Sequence, residues 1–203
     1  MSPATSKATK GEETRSQILS AAVEQASACG FESLTIGTLA ERLEMSKSGL
    51  FAHFGSKLDL QMAALDEAAR QFTEIVYLPA MKVPRGMKRL RALFENWINW
   101  PERANLPGGC PIDAATREYH HQPGPMRDAI FERQKQLDRE LRKTVQMTID
   151  NGELPADTDA GQIAYDLIGI VLGFFRSQMV LGMDESRRRA RVAFERLVTT
   201  PNP

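Results

Sequence analysis

The chain has 203 residues, 42% of them hydrophobic and 26% charged, enough to bury one large or two small cores. Its 26 basic residues balance 26 acidic ones, so bulk charge selects no partner, and any nucleic-acid surface has to be local. The 2 cysteines, Cys29 and Cys110, exclude a disulfide framework.

The N-terminal residues MSPATSKATKG are polar and contain no apolar segment of signal-peptide type, so residues 1–11 are expected to be a disordered tail and the chain to be cytoplasmic. Helical periodicity runs through most of the remaining chain, and no strand-type alternation competes with it. A first helix is predicted from about Glu13 to Cys29, with Ile18, Leu19, Ala22, Val23 and Ala26 on one face and Gly30 ending it. Thr35 is placed to cap a second, short helix with Ile36, Leu39, Ala40 and Leu43 as its apolar side. Ser46 is placed to cap a third carrying Leu50, Phe51 and Phe54, closed by Gly55.

A long fourth helix is predicted from Ser56 to about Leu78, with Pro79 and Pro84 bracketing a break. An amphipathic helix carrying Leu90, Leu93, Phe94, Trp97 and Ile98 follows, then PERANLPGGCP, whose prolines and glycines exclude continuous helix. Further helices are expected at about Ile112–His121, Met126–Asn151, Asp159–Gly182 and Glu185–Val198. The Ile163–Leu181 region is the most apolar, but Asp166, Arg176 and Gln178 interrupt it, so it is read as a covered helix and not as a membrane span. The pattern is all-α, with nine to ten helices: a head at residues 12–58 and a helical bundle at residues 59–203.

The segment Leu34–Lys57 carries the functional signal. Two short capped helices, separated by a turn at Glu44–Met45, can close a three-helix core with the first helix, which is the geometry of a helix-turn-helix. Ser46, Lys47, Ser48, Gly49 and His53 are left facing outward on the second of them, small, polar or cationic as close approach to phosphates and base edges requires. Lys57 adds a cation at the next helix start.

Gly30–Phe31, Leu34–Thr35, the LAERL segment Leu39–Leu43 and the run SKSGLFAHFGSKLDL at Ser46–Leu60 together resemble the tetracycline-repressor (TetR) family, over about Thr14 to Leu65. The resemblance implies a homodimeric repressor with a DNA-binding head and an effector-binding body, and no enzymatic activity. It implies a phosphate contact at Thr35, a recognition edge at Ser46, Lys47, Ser48 and Gly49, and backbone grips at His53 and Lys57. Phe51 departs from the family, which usually has a tyrosine there, and cannot make that residue's hydrogen bond to a phosphate.

Other candidates compete. Cys110, with Asp113, Glu118, His120 and His121 after it, reads as a sensing thiol, a metal group, an acid–base set or plain loop residues, but no CxxC or HxxxH spacing supports a metal. Lys82, Arg85, Lys88, Arg89 and Arg91 read as a solvated face, and Arg187, Arg188, Arg189 and Arg191 as the same or as partners for acids across a dimer. Trp97, Trp100, Cys110, Phe131, Tyr165 and Phe174 are candidate walls of a pocket for a small-molecule effector. The Asp159–Gly182 helix is expected to pair two subunits together with the Met126–Asn151 helix. Operator DNA, a second copy of the chain and an effector are the partners expected. No cofactor, metal or membrane partner is.

Overall fold

The computed structural model describes residues 9–199, and every regular element among them is helical. The chain forms two compact units, one running through Ala69 and taking in Leu106–Glu118, the other comprising Arg70–Asn105 and the chain from Tyr119 on.

In the first unit α1 spans Lys10–Cys29. It begins earlier than expected because Thr9 and Glu12 form a capping box: Glu12 N–H donates to Thr9 Oγ1 at 3.3 Å, and Thr9 N–H to Glu12 Oε2 at 2.7 Å. Residues 9–11 thus belong to the helix start, and the rest of the expected tail, residues 1–8, lies outside the described residues. After Gly30 (φ 82°) a single 3-10 turn, Phe31–Ser33, leads to α2, Ile36–Arg42, capped by Thr35, and α3, Lys47–Phe54, capped by Ser46. α4 follows at Lys57–Phe72. The core comprises Ile18, Ala22, Val23 and Ala26 of α1 with Phe31, Leu39, Leu50, Phe54, Leu60 and Leu65. Buried Gln61 donates from Nε2 to the Phe31 carbonyl at 2.8 Å, tying α4 to the turn after α1.

No local pattern announced that Leu106–Glu118 joins this unit. Ser27 Oγ donates to the Gly109 carbonyl at 2.8 Å and accepts from Gly108 N–H at 3.1 Å. A Cβ at Gly108 would lie 1.7 Å from the Ser27 carbonyl oxygen, so only glycine lets the two backbones come this close. At the other end of the segment, the Glu118 carboxylate accepts the N–H groups of Phe31 (2.7 Å) and Glu32 (2.8 Å).

In the second unit the end of α4 runs into a π turn at Thr73–Tyr77 and then α5, Leu78–Met81. Pro79 therefore does not break the helix as expected. It sits in the first turn of α5, where its missing N–H costs little, and the break falls around Pro84. α6 spans Met87–Ile98, and α7, Trp100–Arg103, is one helical turn inside the stretch expected to be irregular, again with a proline, Pro101, in its first turn. α8 spans Pro111–Tyr119 and closes the Leu106–Glu118 segment of the first unit. α9 spans Pro125–Asp150, α10 Ala160–Leu181 and α11 Met183–Thr199. α10 packs on α11, α9 and α6.

The α11 arginines are not an all-solvated face. Arg187 pairs with Glu102 at 2.7 Å, Arg191 with Glu95 at 2.7 Å, and Arg188 and Arg189 share Glu185. Beside them Phe94 of α6 and Phe194 of α11 stack at 4.3 Å. Arg89, counted with the solvated cluster, instead donates to the carbonyls of Met81 and Val83 and closes the end of α5.

α10 is not covered all round. Ile163, Leu167, Val171 and Phe174 are buried, but Tyr165, Leu172, Met179 and Val180 are exposed, Met179 at 96%. Gly169 and Gly173 lie between them, and, chain neighbours and the helix's own backbone aside, no atom of the described residues comes within 4 Å of a Cβ placed there. By length and composition alone α10 is apolar enough to cross a membrane, because Asp166 and Arg176 are its only charges in 22 residues.

Candidate nucleic-acid interface

At 3.6 residues per turn, the buried Leu50 and Phe54 turn one side of α3 into the head core. Ser48 and Ala52 then lie on the opposite side. Lys47 and Phe51 share one shoulder, one turn apart, and Gly49 and His53 share the other. The exposures agree: Lys47, Ser48, Phe51 and Ala52 are exposed, and Gly49 and His53 half-buried.

Two elements converge at the N-terminal end of this face. Thr35, Gly37, Thr38, Ala40, Glu41, Met45 and Lys47 line a shallow cleft of about 480 Å³. The Lys47 side chain crosses from α3 to the start of α2, where a Cβ on Gly37 would lie 3.7 Å from Lys47 Cε. Thr35 and Lys47, predicted separately, are thus brought together. The Thr35 hydroxyl meanwhile accepts from Thr38 N–H at 3.1 Å, within a reciprocal cap.

The remaining predicted residues divide. Ser46 Oγ is engaged as the α3 cap, accepting Gly49 N–H at 3.0 Å, and lies 3.3 Å from Ser48 Oγ, so Ser48 is the freer of the two serines. The His53 ring tilts against Phe54 with centroids 6.2 Å apart. Lys57 pairs with Glu32 at 2.7 Å, both side chains being well exposed. Such a pair contributes little and yields readily to a phosphate. The start of α4 is less anion-friendly than expected, since the Asp59 carboxylate accepts from Ser56 Oγ at 2.7 Å in its first turn.

One positioning residue was missed. Arg15 of α1 donates to the His53 carbonyl at 2.7 Å and stacks over the Phe54 ring at 4.5 Å, clamping the C-terminal end of α3. It contacts residues 38 positions away, a separation no helical pattern reports.

Residues 86–194 match the family described as tetracyclin repressor-like, C-terminal domain, and residues 18–64 match bacterial regulatory proteins of the tetR family. The chain belongs to the TetR family. This is a family of helix-turn-helix transcriptional regulators and not of enzymes, which removes the acid–base reading of the polar residues after Cys110. Among curated proteins none matches. Solved structures share the fold. A TetR regulator from Chloroflexus aurantiacus J-10-FL aligns at 24% identity and TM-score 0.83, covering 94% of this chain and 96% of its own. A putative transcriptional regulator from Saccharomonospora viridis, in complex with choline, aligns at 19% and 0.75, covering 90% and 96%. AibR, in complex with isovaleryl coenzyme A and operator DNA, aligns at 21% and 0.69, covering 89% and 97%.

The residues of this TetR-family regulator proposed from sequence as effector walls do not share one environment. Trp97, Trp100 and Phe174 are buried in the second unit, whereas Phe131 and Tyr165 of that unit are exposed, Tyr165 at 70%. Cys110 belongs to the first unit, buried, with Asp113 N–H directed at its sulfur at 3.4 Å. Burial pushes its thiol up to about 12, which disfavours the thiolate that a sensing cysteine needs. Asp113 pairs with Arg117 at 2.9 Å, and the rings of His120 and His121 lie edge-on to one another at 4.0 Å. Among the described residues no group of three or more His, Cys, Asp or Glu side chains is arranged to hold a metal ion.

Proposed function

We propose that this regulator is a homodimeric repressor that places one α3 in each half of a near-palindromic operator and leaves the DNA when a small molecule binds its second unit. The observation that carries the reading is the outward face of α3, with Lys47 and Thr35 lining one cleft between α2 and α3 and Ser48 standing exposed. Thr35, Ser46, Lys47, Ser48, Gly49, His53 and Lys57 are its proposed DNA contacts. A two-fold dimer would set the half-sites about one helical turn apart, roughly 34–36 Å or a little more.

The open face of α10 supports the dimer. An exposed apolar strip with two uncovered glycines allows close approach of a second helix, and Val192 of α11 is exposed as well. The outer side of α9 instead carries charges paired within the helix, such as Lys135–Glu132 and Arg142–Asp138. We therefore assign the subunit contact to α10 with α11, and not to α10 with the Met126–Asn151 helix as expected from sequence.

Two indoles support an effector site in the second unit. Trp97 and Trp100 both sit edge-on to Phe72, at 5.4 and 5.0 Å, and neither buried Nε1–H has an acceptor among the described residues. A buried donor left unpaired costs about 1–3 kcal/mol, which a ligand bearing an acceptor oxygen would recover. The effector is accordingly an apolar molecule with a carbonyl or carboxylate oxygen. The isovaleryl coenzyme A and choline complexes of the two relatives add support for a small-molecule response. The protein would act in the cytoplasm, where its DNA is.

A gel-shift assay of the full-length protein on the DNA flanking its own gene tests this reading. One complex that survives excess nonspecific DNA and disappears with unlabelled probe supports it, and the absence of any sequence-selective complex overturns it.

A further inference from the structure

Phe51 is a large apolar side chain 53% exposed in the middle of the helix that the proposed function sets against DNA. The head core does not use it: Leu50 and Phe54, on either side in sequence, supply the buried anchors of α3. It carries no polar atom, so it cannot hydrogen-bond a phosphate or a base edge. Beside it Ala52 is exposed too, so the central turn of α3 presents an apolar edge between the cationic end at Lys47 and His53 in its last turn.

The wheel of α3 fixes where that edge would meet a duplex. Ser48 and Ala52 face the groove floor, while Phe51 lies on the shoulder it shares with Lys47, one turn further along. The Lys47 ammonium is drawn to the phosphates that wall the groove, so Phe51 lies between that wall and the bases. In the major groove one base offers an apolar group, the thymine C5-methyl, and alanine and phenylalanine are side chains that contact it. We infer that Phe51, with Ala52 beside it, is a specificity-determining residue that reads a thymine methyl in each operator half-site. The inference rests on the DNA-binding reading of α3.

The test uses a duplex selected from a random-sequence library by the full-length wild-type protein. Thymines in the two half-sites are then replaced in symmetric pairs by deoxyuridine, which deletes the methyl and leaves the pairing edges intact. One pair should lower wild-type affinity about fifteenfold, roughly fourfold for each of its two buried methyls. Phe51→Ala should bind the thymine and deoxyuridine duplexes alike, and its unchanged circular dichroism would exclude misfolding, because Phe51 is outside the core. Deoxyuridine losses below about twofold at every pair would overturn the inference, as would an equal loss in wild type and Phe51→Ala. If the library yields no enriched duplex, the DNA-binding reading itself fails and takes this inference with it.

Discussion

Replacing Gly108 with alanine puts a methyl group where the Ser27 carbonyl already is. The new Cβ would lie 1.7 Å from the Ser27 oxygen, 2.5 Å from its carbonyl carbon and 2.9 Å from Ala28 Cα, all of them backbone atoms that no rotamer change can move aside. The Leu106–Glu118 segment would have to lift away from α1, breaking both hydrogen bonds of Ser27 Oγ, to the Gly109 carbonyl and from Gly108 N–H. Two hydrogen bonds at about 1 kcal/mol each, plus at least about 1 kcal/mol for overpacking, give a loss of about 3 kcal/mol. For a chain of this length that is a fall in Tm of about 6–12 °C. The neighbouring Gly109 is the control. Its φ is +86° and nothing lies within 4 Å of its Cβ, so Gly109→Ala incurs only left-handed backbone strain, about 1–2 kcal/mol. Thermal unfolding followed by circular dichroism, at one fixed protein concentration, separates the two. A Gly108→Ala variant no less stable than Gly109→Ala would refute the close approach of Gly108 to Ser27 and with it the inclusion of this segment in the first unit.

Lys47→Ala should weaken binding to all DNA sequences alike and reduce the salt dependence of affinity by about one unit, with Tm unchanged, because Lys47 is exposed. A thiol reagent at pH 8 should modify exposed Cys29 in the native protein and reach Cys110, held near 12 by burial, only after denaturation; two fast thiols in the native state would contradict the burial of Cys110. Leu172→Glu, placing a charge on the open strip of α10, should halve the mass seen by light scattering, and a wild-type monomer at micromolar concentration would sink the dimer. Tyr77, raised to about 12 mainly by burial and then by its bond to Glu140, stays protonated in the fold where the unfolded chain ionises near 10. Its contribution is therefore present below pH 10 and lost as pH rises from about 10 to 12. Tyr77→Phe should show a shallower fall in stability across that window.

The DNA-binding head was legible because its signals are local. Thr35 and Ser46 cap the helices they were expected to cap, Gly30 and Gly55 end theirs, and Leu50 and Phe54 point inward as the 3.6-residue period requires. What escaped the sequence depends on distant contacts. Nothing around Gly108 or Glu118 signals that they meet Ser27 and Phe31, more than eighty residues away in the chain. Pro79 read as a breaker, since a proline's sequence position does not reveal whether a helix starts or stops there. On α10 the sequence reads as an apolar helix, but which side chains the fold buries, such as Ile163 and Phe174, and which it leaves exposed, Tyr165, Leu172 and Met179, appears only in the packing. The candidate effector walls are not separable from core by sequence, because apolar side chains at helical spacing look the same in a core and in a pocket. The unpaired indole N–H groups of Trp97 and Trp100 appear only once the packing is known.

Hydroxyl-radical footprinting of the full-length protein on a library-selected duplex tests the central claim most directly. Two symmetric protected patches about 34–36 Å or somewhat more apart, both lost in a Lys47→Glu variant that keeps its Tm, are the predicted result. A footprint that Lys47→Glu leaves unchanged would contradict the assignment of α3 as the DNA-reading helix.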